Sequence, residues 1–228
     1  MNSMLSIGQQ LVYNSLWWQS LAAMQQERVS ATIRFKSVDS DGVICQKGEL
    51  VEQWTGIASG VAKISSSSME GKGVTLSGLP AGSWFGEGSL LKSEIRRYEV
   101  VAIKPAVVAM MPKATFDWLL DTSISFNRFL LIQLNERLGQ FIGTVETDRL
   151  LGPEGRVARA LAQLFNPLLF PGVKPTLEIS QTEVGLLTGL SRQRANQALQ
   201  ALEKLSLVKV DYGSITVLDL QGLSKVEA

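Results

Sequence analysis

The stretch Ser180–Leu205, SQTEVGLLTGLSRQRANQALQALEKL, decides the fold. Ser180 is followed three residues later by Glu183, a capping box in which each side chain satisfies a free backbone N–H of the other's turn, so a helix starts there. Val184, Leu187 and Thr188 share one face of it, and Gly185 offers a place where a second helix can approach closely. Gly189 breaks the periodicity. Ser191 then caps a second helix, in which Ala195, Ala198, Leu199, Leu202 and Leu205 recur at three- and four-residue steps. The inward positions are apolar, and the outward ones at its start are Arg192, Gln193, Arg194, Asn196 and Gln197.

Two helices about a glycine turn, with that polar set at the start of the second, match what a major groove requires. Arg grips guanine O6 and N7 with two hydrogen bonds, and Gln or Asn does the same to adenine N6 and N7. Arg192 is expected to carry the principal guanine contact, Arg194, Ser180 and Ser191 to hold phosphates, and Gln181, Gln193, Asn196 and Gln197 to complete the surface on double-stranded DNA. The plainer alternative is a solvated helix face. The next residues argue against it: Leu207–Val210 and Ile215–Leu218 are β-rich runs about Asp211-Tyr212-Gly213-Ser214, the hairpin wing of a winged helix.

This segment resembles the DNA-binding domain of the Crp/Fnr family of bacterial transcription regulators, whose helix-turn-helix reads T-R-x-E-I-G-x-x-x-G-x-S-R-E-T-V. The likeness covers Thr182-Glu183-Val184-Gly185, Gly189 and Ser191-Arg192. Gln193 stands where the family often has Glu, and the resemblance then implies an altered half-site.

The 228 residues fit two domains of ordinary size, and 45% apolar with 19% charged content is that of a soluble protein with a sizeable core. A net charge of +1 does not advertise nucleic acid, so the Lys and Arg of a DNA reader must be concentrated locally or doubled by dimerisation. With no His and one Cys, Ser-His-Asp and Cys-His nucleophile pairs, His metal triads, a cupin-type metal enzyme and an intrachain disulfide are all excluded. No catalytic residue, metal or cofactor is expected, and Cys45 reads as a small core residue. The first cationic side chain is Arg28, and no apolar run approaches the roughly 20 residues that span a bilayer, so a cytoplasmic protein without membrane contact is expected.

The N-terminal stretch Met4–Met24 reads as one or two amphipathic helices, with Trp17 and Trp18 as packing residues. From Ser30 to Pro112 the texture is short β-rich runs separated by glycine: 32–38, 42–45, 51–58, 61–65, 73–77, 98–103 and 107–110. Such spacing indicates a β-sandwich or β-roll, with the serine run Ser65–Ser68, Gly71 and Gly73 as a solvated hairpin loop. Within it, Gly82-Ser83-Trp84-Phe85-Gly86-Glu87-Gly88-Ser89-Leu90-Leu91, followed by Arg96-Arg97-Tyr98, supplies backbone N–H groups, a carboxylate and a guanidinium fit for a phosphorylated ligand.

That segment looks like the phosphate cassette of cyclic-nucleotide-binding domains, with Glu87 on the cassette Glu and Arg97 on its Arg. Gly86, Glu87, Gly88, Ser89, Arg97 and Tyr98 are therefore the expected effector site. The departures are Tyr98 for the family's Ser or Thr, Gly88-Ser89 in the cassette core, and Phe141-Ile142 where cAMP-responsive members carry a Thr-Ser pair. An effector other than cAMP is expected. A Glu87–Arg97 ion pair in a pocket that holds nothing charged stands as the alternative.

Residues 114–120 read as a short helix, and a longer one runs from near Ser123 to Gly152-Pro153. Its Leu131, Leu134, Leu138, Phe141 and Val145 keep the spacing of a coiled-coil seam, while Leu130 and Ile142 form a second stripe assigned to the roll. A parallel homodimer is expected, which in Crp/Fnr proteins is the role of this helix. Gly152-Pro153-Glu154-Gly155 is the hinge, Arg156–Phe165 another helix, and the loop Asn166–Pro175 lies where related activators touch RNA polymerase.

The expected class is α+β: an antiparallel, jelly-roll-like β-roll with N-terminal helices over 1–121, a dimerisation helix over 122–152 and a winged helix-turn-helix over 153–228. The function read from it is a homodimeric, sequence-specific DNA-binding transcription regulator. The competing reading is a ligand-binding or scaffold protein whose winged helix makes protein contacts.

Overall fold

The structure, a computed structural model, describes residues 2–67 and 73–227. Of the expected serine-rich hairpin loop, Ser68 and Gly71 lie outside the described residues. Three helices open the chain, α1 (Asn2–Asn14), α2 (Leu16–Gln19) and α3 (Ala23–Thr32). The roll follows as β1 (Arg34–Val38), β2 (Val43–Cys45), β3 (Gln53–Ser59), β4 (Val61–Ser67), β5 (Gly73–Pro80), β6 (Trp84–Phe85), the short α4 (Glu87–Lys92), β7 (Glu99–Ala102) and β8 (Ala106–Pro112). Then come α5 (Lys113–Thr122), the long α6 (Ile124–Leu150), α7 (Pro153–Gln163), β9 (Thr176–Leu177), α8 (Gln181–Thr188), α9 (Arg192–Lys204), β10 (Val208–Asp211), β11 (Ser214–Val217) and α10 (Leu220–Leu223).

All pairings are antiparallel. The roll consists of two four-stranded sheets in the orders β1-β8-β3-β6 and β2-β7-β4-β5, and β10-β11-β9 form the third sheet. Each expected β-rich run is a strand within a few residues, because alternation and flanking glycines bound it. The two-residue strands β6 and β9 are too short to carry such a signal.

Three apolar clusters hold the elements. Under the N-terminal helices lie Trp17, Trp54, Trp84, Phe116 and Phe126, with Trp54 and Trp84 at 4.5 Å between ring centroids and Trp17 edge-on to Trp84 at 5.1 Å. Trp84 Nε1 donates to Ser15 Oγ at 2.9 Å, so its polar edge is satisfied inside the cluster. The roll interior contains Ile57, Leu79, Phe85, Val100 and Val108, joined by Leu169 and Phe170 from the loop after α7. The winged-helix core unites Leu161 of α7, Val184 of α8, Leu199 and Leu202 of α9 and Ile215 of β11.

The helix-turn-helix follows its local chemistry. Ser180 Oγ accepts from Glu183 N at 3.2 Å, and Ser191 Oγ accepts from Arg194 N at 3.3 Å. Gly189 takes the left-handed φ of 66°, and a Cβ on Gly185 would lie 2.9 Å from Leu190 O, which is why the second helix can approach there. The expected capping box is only half made. The Glu183 carboxylate does not return to its own turn; it accepts from Lys63 Nζ on β4 at 2.9 and 3.0 Å.

That ion pair links roll and winged helix. Beside it, Val61 belongs to the winged-helix core, and Leu164 packs where Gly78 presents bare backbone. A double-mutant cycle of Lys63→Met and Glu183→Gln is expected to give a coupling of about 0.5–1 kcal/mol, shrinking as salt rises. Urea unfolding of the four proteins measures it. Zero coupling would mean that apolar contact alone holds α8 to the roll.

Candidate functional site

A cavity of about 490 Å³ lies between the roll, α6 and the winged helix. Phe85, Gly86, Glu87 and Tyr98 face it from the roll, Leu134, Leu138 and Phe141 from α6, and Leu187 and Thr188 from α8. Gly88, Ser89 and Arg97 also border it, so the expected effector residues do surround one space.

Their connections differ from the sequence expectation. Glu87 is buried at the start of α4 and meets Arg137, not Arg97: Arg137 Nε donates to Glu87 Oε1 at 2.9 Å and Trp54 Nε1 to Oε2 at 3.4 Å. Arg137 and Gln133 of α6 both donate to the Trp84 carbonyl, Gln133 at 2.8 Å. Arg97 is exposed and pairs with Glu94 at 3.3 Å, and Lys92 and Arg97 together hold the Glu94 carboxyl below its usual range.

Its neighbour Arg96 is the buried guanidinium, at 5% exposure, with Cζ 5.5 Å from the Tyr98 ring centroid and Nη1 lacking a partner among the described residues. Arg96 N donates to Glu49 O at 2.8 Å, and the chain bends at Arg97 and Tyr98 before β7 begins. Burial pushes the Tyr98 phenol above its ordinary value, opposed by Arg96 and reinforced by Glu87. Cys45 is half-buried against the roll core, and burial pushes its thiol up as well.

On α6, Leu131, Leu138, Phe141 and Val145 are exposed, forming an apolar stripe without a cover. Leu134 is half-buried and turned to the cavity. Leu130 packs on the roll cluster as expected, but Ile142 does not: it is 61% exposed and joins the outward stripe. At the far end, Arg192, Gln193, Arg194 and Gln197 of α9 are exposed, Asn196, Ser180 and Gln181 half-buried, and Ser191 exposed at the cap. Tyr212 stands fully exposed at the tip of the β10–β11 wing, flanked by Gly213 with φ 76°. Sequence reading missed Arg137, which borders the cavity, and its neighbour Gln133, which helps to hold the Trp84 carbonyl; Arg96 is buried beside Tyr98 but does not line the cavity. The one available signal was position: Arg137 and Gln133 lie four residues apart, on one face of α6.

Residues 35–123 match the family model of the cyclic nucleotide-binding domain, and residues 155–226 match that of the Crp-like helix-turn-helix domain. The chain belongs to the Crp/Fnr family of transcription regulators. Among similar Crp/Fnr proteins are the cyclic AMP receptor protein of Thermus thermophilus, 27% identical over 80% of this chain and 83% of that protein, and the cAMP-activated global transcriptional regulator CRP of Haemophilus influenzae, 27% identical over 71% and 73%. In fold the chain is similar to FixK2 from Bradyrhizobium japonicum, with a TM-score of 0.72 at 18% identity over 86% of this chain and 98% of that one. It is also similar to the c-di-GMP responsive regulator CLP of Xanthomonas campestris, with a TM-score of 0.63 at 21% identity over 86% and 99%. Members of the Crp/Fnr family are transcription regulators, and the molecule is one by its pair of domains. Among the described residues no helix is long and apolar enough to cross a membrane.

Because Arg137 is the charged partner of a buried carboxylate, Arg137→Met is expected to cost about 3–5 kcal/mol, whereas Glu87→Leu combined with Arg137→Met costs far less. Urea unfolding distinguishes the two, and equal destabilisation would show that the pair acts only as packing.

Proposed function

We propose that this Crp/Fnr regulator works as a homodimer joined along α6, that each protomer reads one half-site of double-stranded DNA with α9, and that its cavity does not serve cAMP. The division into a roll over 1–121, a dimer helix over 122–152 and a DNA-reading unit over 153–228 is part of this reading, as is action in the cytoplasm. The observation that carries the DNA assignment is the free polar face at the start of α9. Arg192, Gln193, Arg194 and Gln197 stand clear of the core that Ala195, Ala198 and Leu199 build on the opposite side. Arg192 takes the guanine contact, Arg194 with the two capping serines the phosphates, and Gln181, Gln193, Asn196 and Gln197 the remaining contacts. The loop 166–175 is assigned to RNA polymerase, as in related activators.

The apolar stripe on α6 supports dimerisation. Leu131, Leu138, Ile142 and Val145 recur at heptad-like spacing along a helix of about 40 Å, and a second copy about a two-fold axis supplies a self-complementary cover. Two α9 helices then face half-sites about one helical turn apart.

The reading against cAMP rests on what already occupies its expected partners. Glu87 is taken by Arg137, Arg97 by Glu94, the Tyr98 ring borders the phosphate position, and Phe141 faces the cavity where a purine would need donors. Each lost charge-assisted or buried hydrogen bond weakens binding by about 1.5–3 kcal/mol, so two losses amount to a hundredfold or more.

Three measurements test these parts. On DNA selected from random sequence, Arg192→Ala is expected to cost about 1–3 kcal/mol and relax one position per half-site, while Arg194→Ala weakens all sequences alike; equal loss on selected and random DNA from Arg192→Ala removes the assignment. Leu138→Glu is expected to give monomers by light scattering with weakened DNA binding, and an unchanged mass rejects the α6 interface. Calorimetry is expected to find no micromolar cAMP binding; such binding, accompanied by a gain in operator affinity, refutes the third part.

A further inference from the structure

The cavity is built from both halves of the molecule. At its winged-helix end its walls are α7 and the turn that closes α8, where Arg156, Arg159, Leu187 and Thr188 line it. Arg156 is the focus of that end. Its Nη2 donates to the Thr188 carbonyl at 2.6 Å and lies 2.9 Å from Asp148 Oδ1, while its Nε is buried without a partner among the described residues. A buried guanidinium N–H of this kind calls for an acceptor, and a carboxylate is the planar, bidentate acceptor that fits a guanidinium edge. The remaining lining has the character of an apolar chamber, with Phe85, Leu134, Phe141 and Leu187. Its ionic side chains are five cations against three carboxylates, so the field favours an anion.

Resting on the reading of this cavity as an effector site, we propose that it takes a small amphipathic monocarboxylate, with the carboxylate on the Nε edge of Arg156 and an apolar body lying along Phe85, Leu134 and Phe141. A chamber of about 490 Å³ is of the size that encloses such molecules. The site differs from the cyclic-nucleotide cassette in place and chemistry: the anion is held by α7 of the winged-helix half, and the cassette carboxylate Glu87 takes no part. Since Arg156 also holds the Thr188 carbonyl at the end of α8, the ligand binds to a group that positions the helix-turn-helix, and its affinity depends on how that unit is docked.

The test uses the full chain, titrated by calorimetry with decanoate and 4-phenylbutyrate, each beside its neutral amide. The acids are expected to bind at least about tenfold more tightly than the amides, as befits a charge-assisted pair. Arg156→Gln is expected to remove that discrimination. Asp148→Asn, which frees Arg156 from its competing carboxylate at a half-exposed position, is expected to tighten the acids several-fold and leave the amides unchanged. Phe141→Ala is expected to weaken acids and amides alike. Equal binding of acid and amide by the wild type, no binding of either at millimolar concentration, or no change with Asp148→Asn would each overturn the proposal; Asp148→Asn keeps the test open if Arg156→Gln does not fold. Operator binding with and without decanoate is measured separately. Acid binding by a protein that ignores DNA would refute the regulatory reading and leave the site standing. DNA binding with no acid binding would do the reverse.

Discussion

A carboxylate taken out of water must be met by a cation, and in this molecule the cation that meets Glu87 comes from the long helix. Arg137 is half-buried beside the fully buried carboxylate it serves, and its second donor, with Gln133 one turn earlier, goes to the Trp84 carbonyl. These bonds fix the rotation of α6 against the roll, since each residue along a helix turns the face by about 100°. With that phase set, Leu130 goes inward, Leu134 borders the cavity, Leu138 and Phe141 stand exposed along its open side, and Leu131 and Val145 go outward. The apolar stripe, the depth of the cavity and the direction in which the chain enters the hinge at Gly152 all follow from one buried pair.

The parts of the fold that rest on neighbours in sequence were legible without the structure. Ser180 and Ser191 as caps, Gly185 and Gly189 at the turn, the wing about Gly213 and the start of α6 at Ser123 are local chemistry. So were the strands, because alternation and glycine punctuation act over a few residues. What was not legible depends on partners distant along the chain. Glu183 could be placed three residues from its cap, but not its preference for Lys63, 120 positions away. Which of two adjacent arginines is buried depends on how the chain bends ahead of β7, and a spacing counted from Glu87 cannot show it. The cavity shares this limit: Phe85, Leu134 and Leu187 belong to three separate elements, and no periodicity connects them.

The charge distribution repeats that contrast at a larger scale. A net charge of +1 hides a division of labour. Around the cavity, Glu87, Glu94 and Asp148 each have an arginine partner, so most of the positive charge there is matched, with the Nε of Arg156 left over. On α9, Arg192 and Arg194 have no ion-pair partner among the described residues, and their guanidinium groups are available to an external anion. The molecule therefore presents little general attraction for polyanions and a small area of strong, directed attraction.

The loop between α7 and β9 adds a mechanical consequence. It does not run free over the surface: Leu169 and Phe170 are sunk in the roll core, and Asn166 Oδ1 closes the turn by accepting from Leu168 and Leu169 N–H at 2.9 and 3.0 Å. Besides the Lys63–Glu183 bridge and the contacts of Val61 and Leu164, the winged helix is thus fastened along the chain at its entry near Gly152 and at this apolar plug. A body hung on one pivot can swing in any direction, but one hung on two has a single axis, like a door. A motion that broke the Lys63–Glu183 bridge but kept these two fastenings would turn α9 through one arc only, so the plug would select the path that α9 takes.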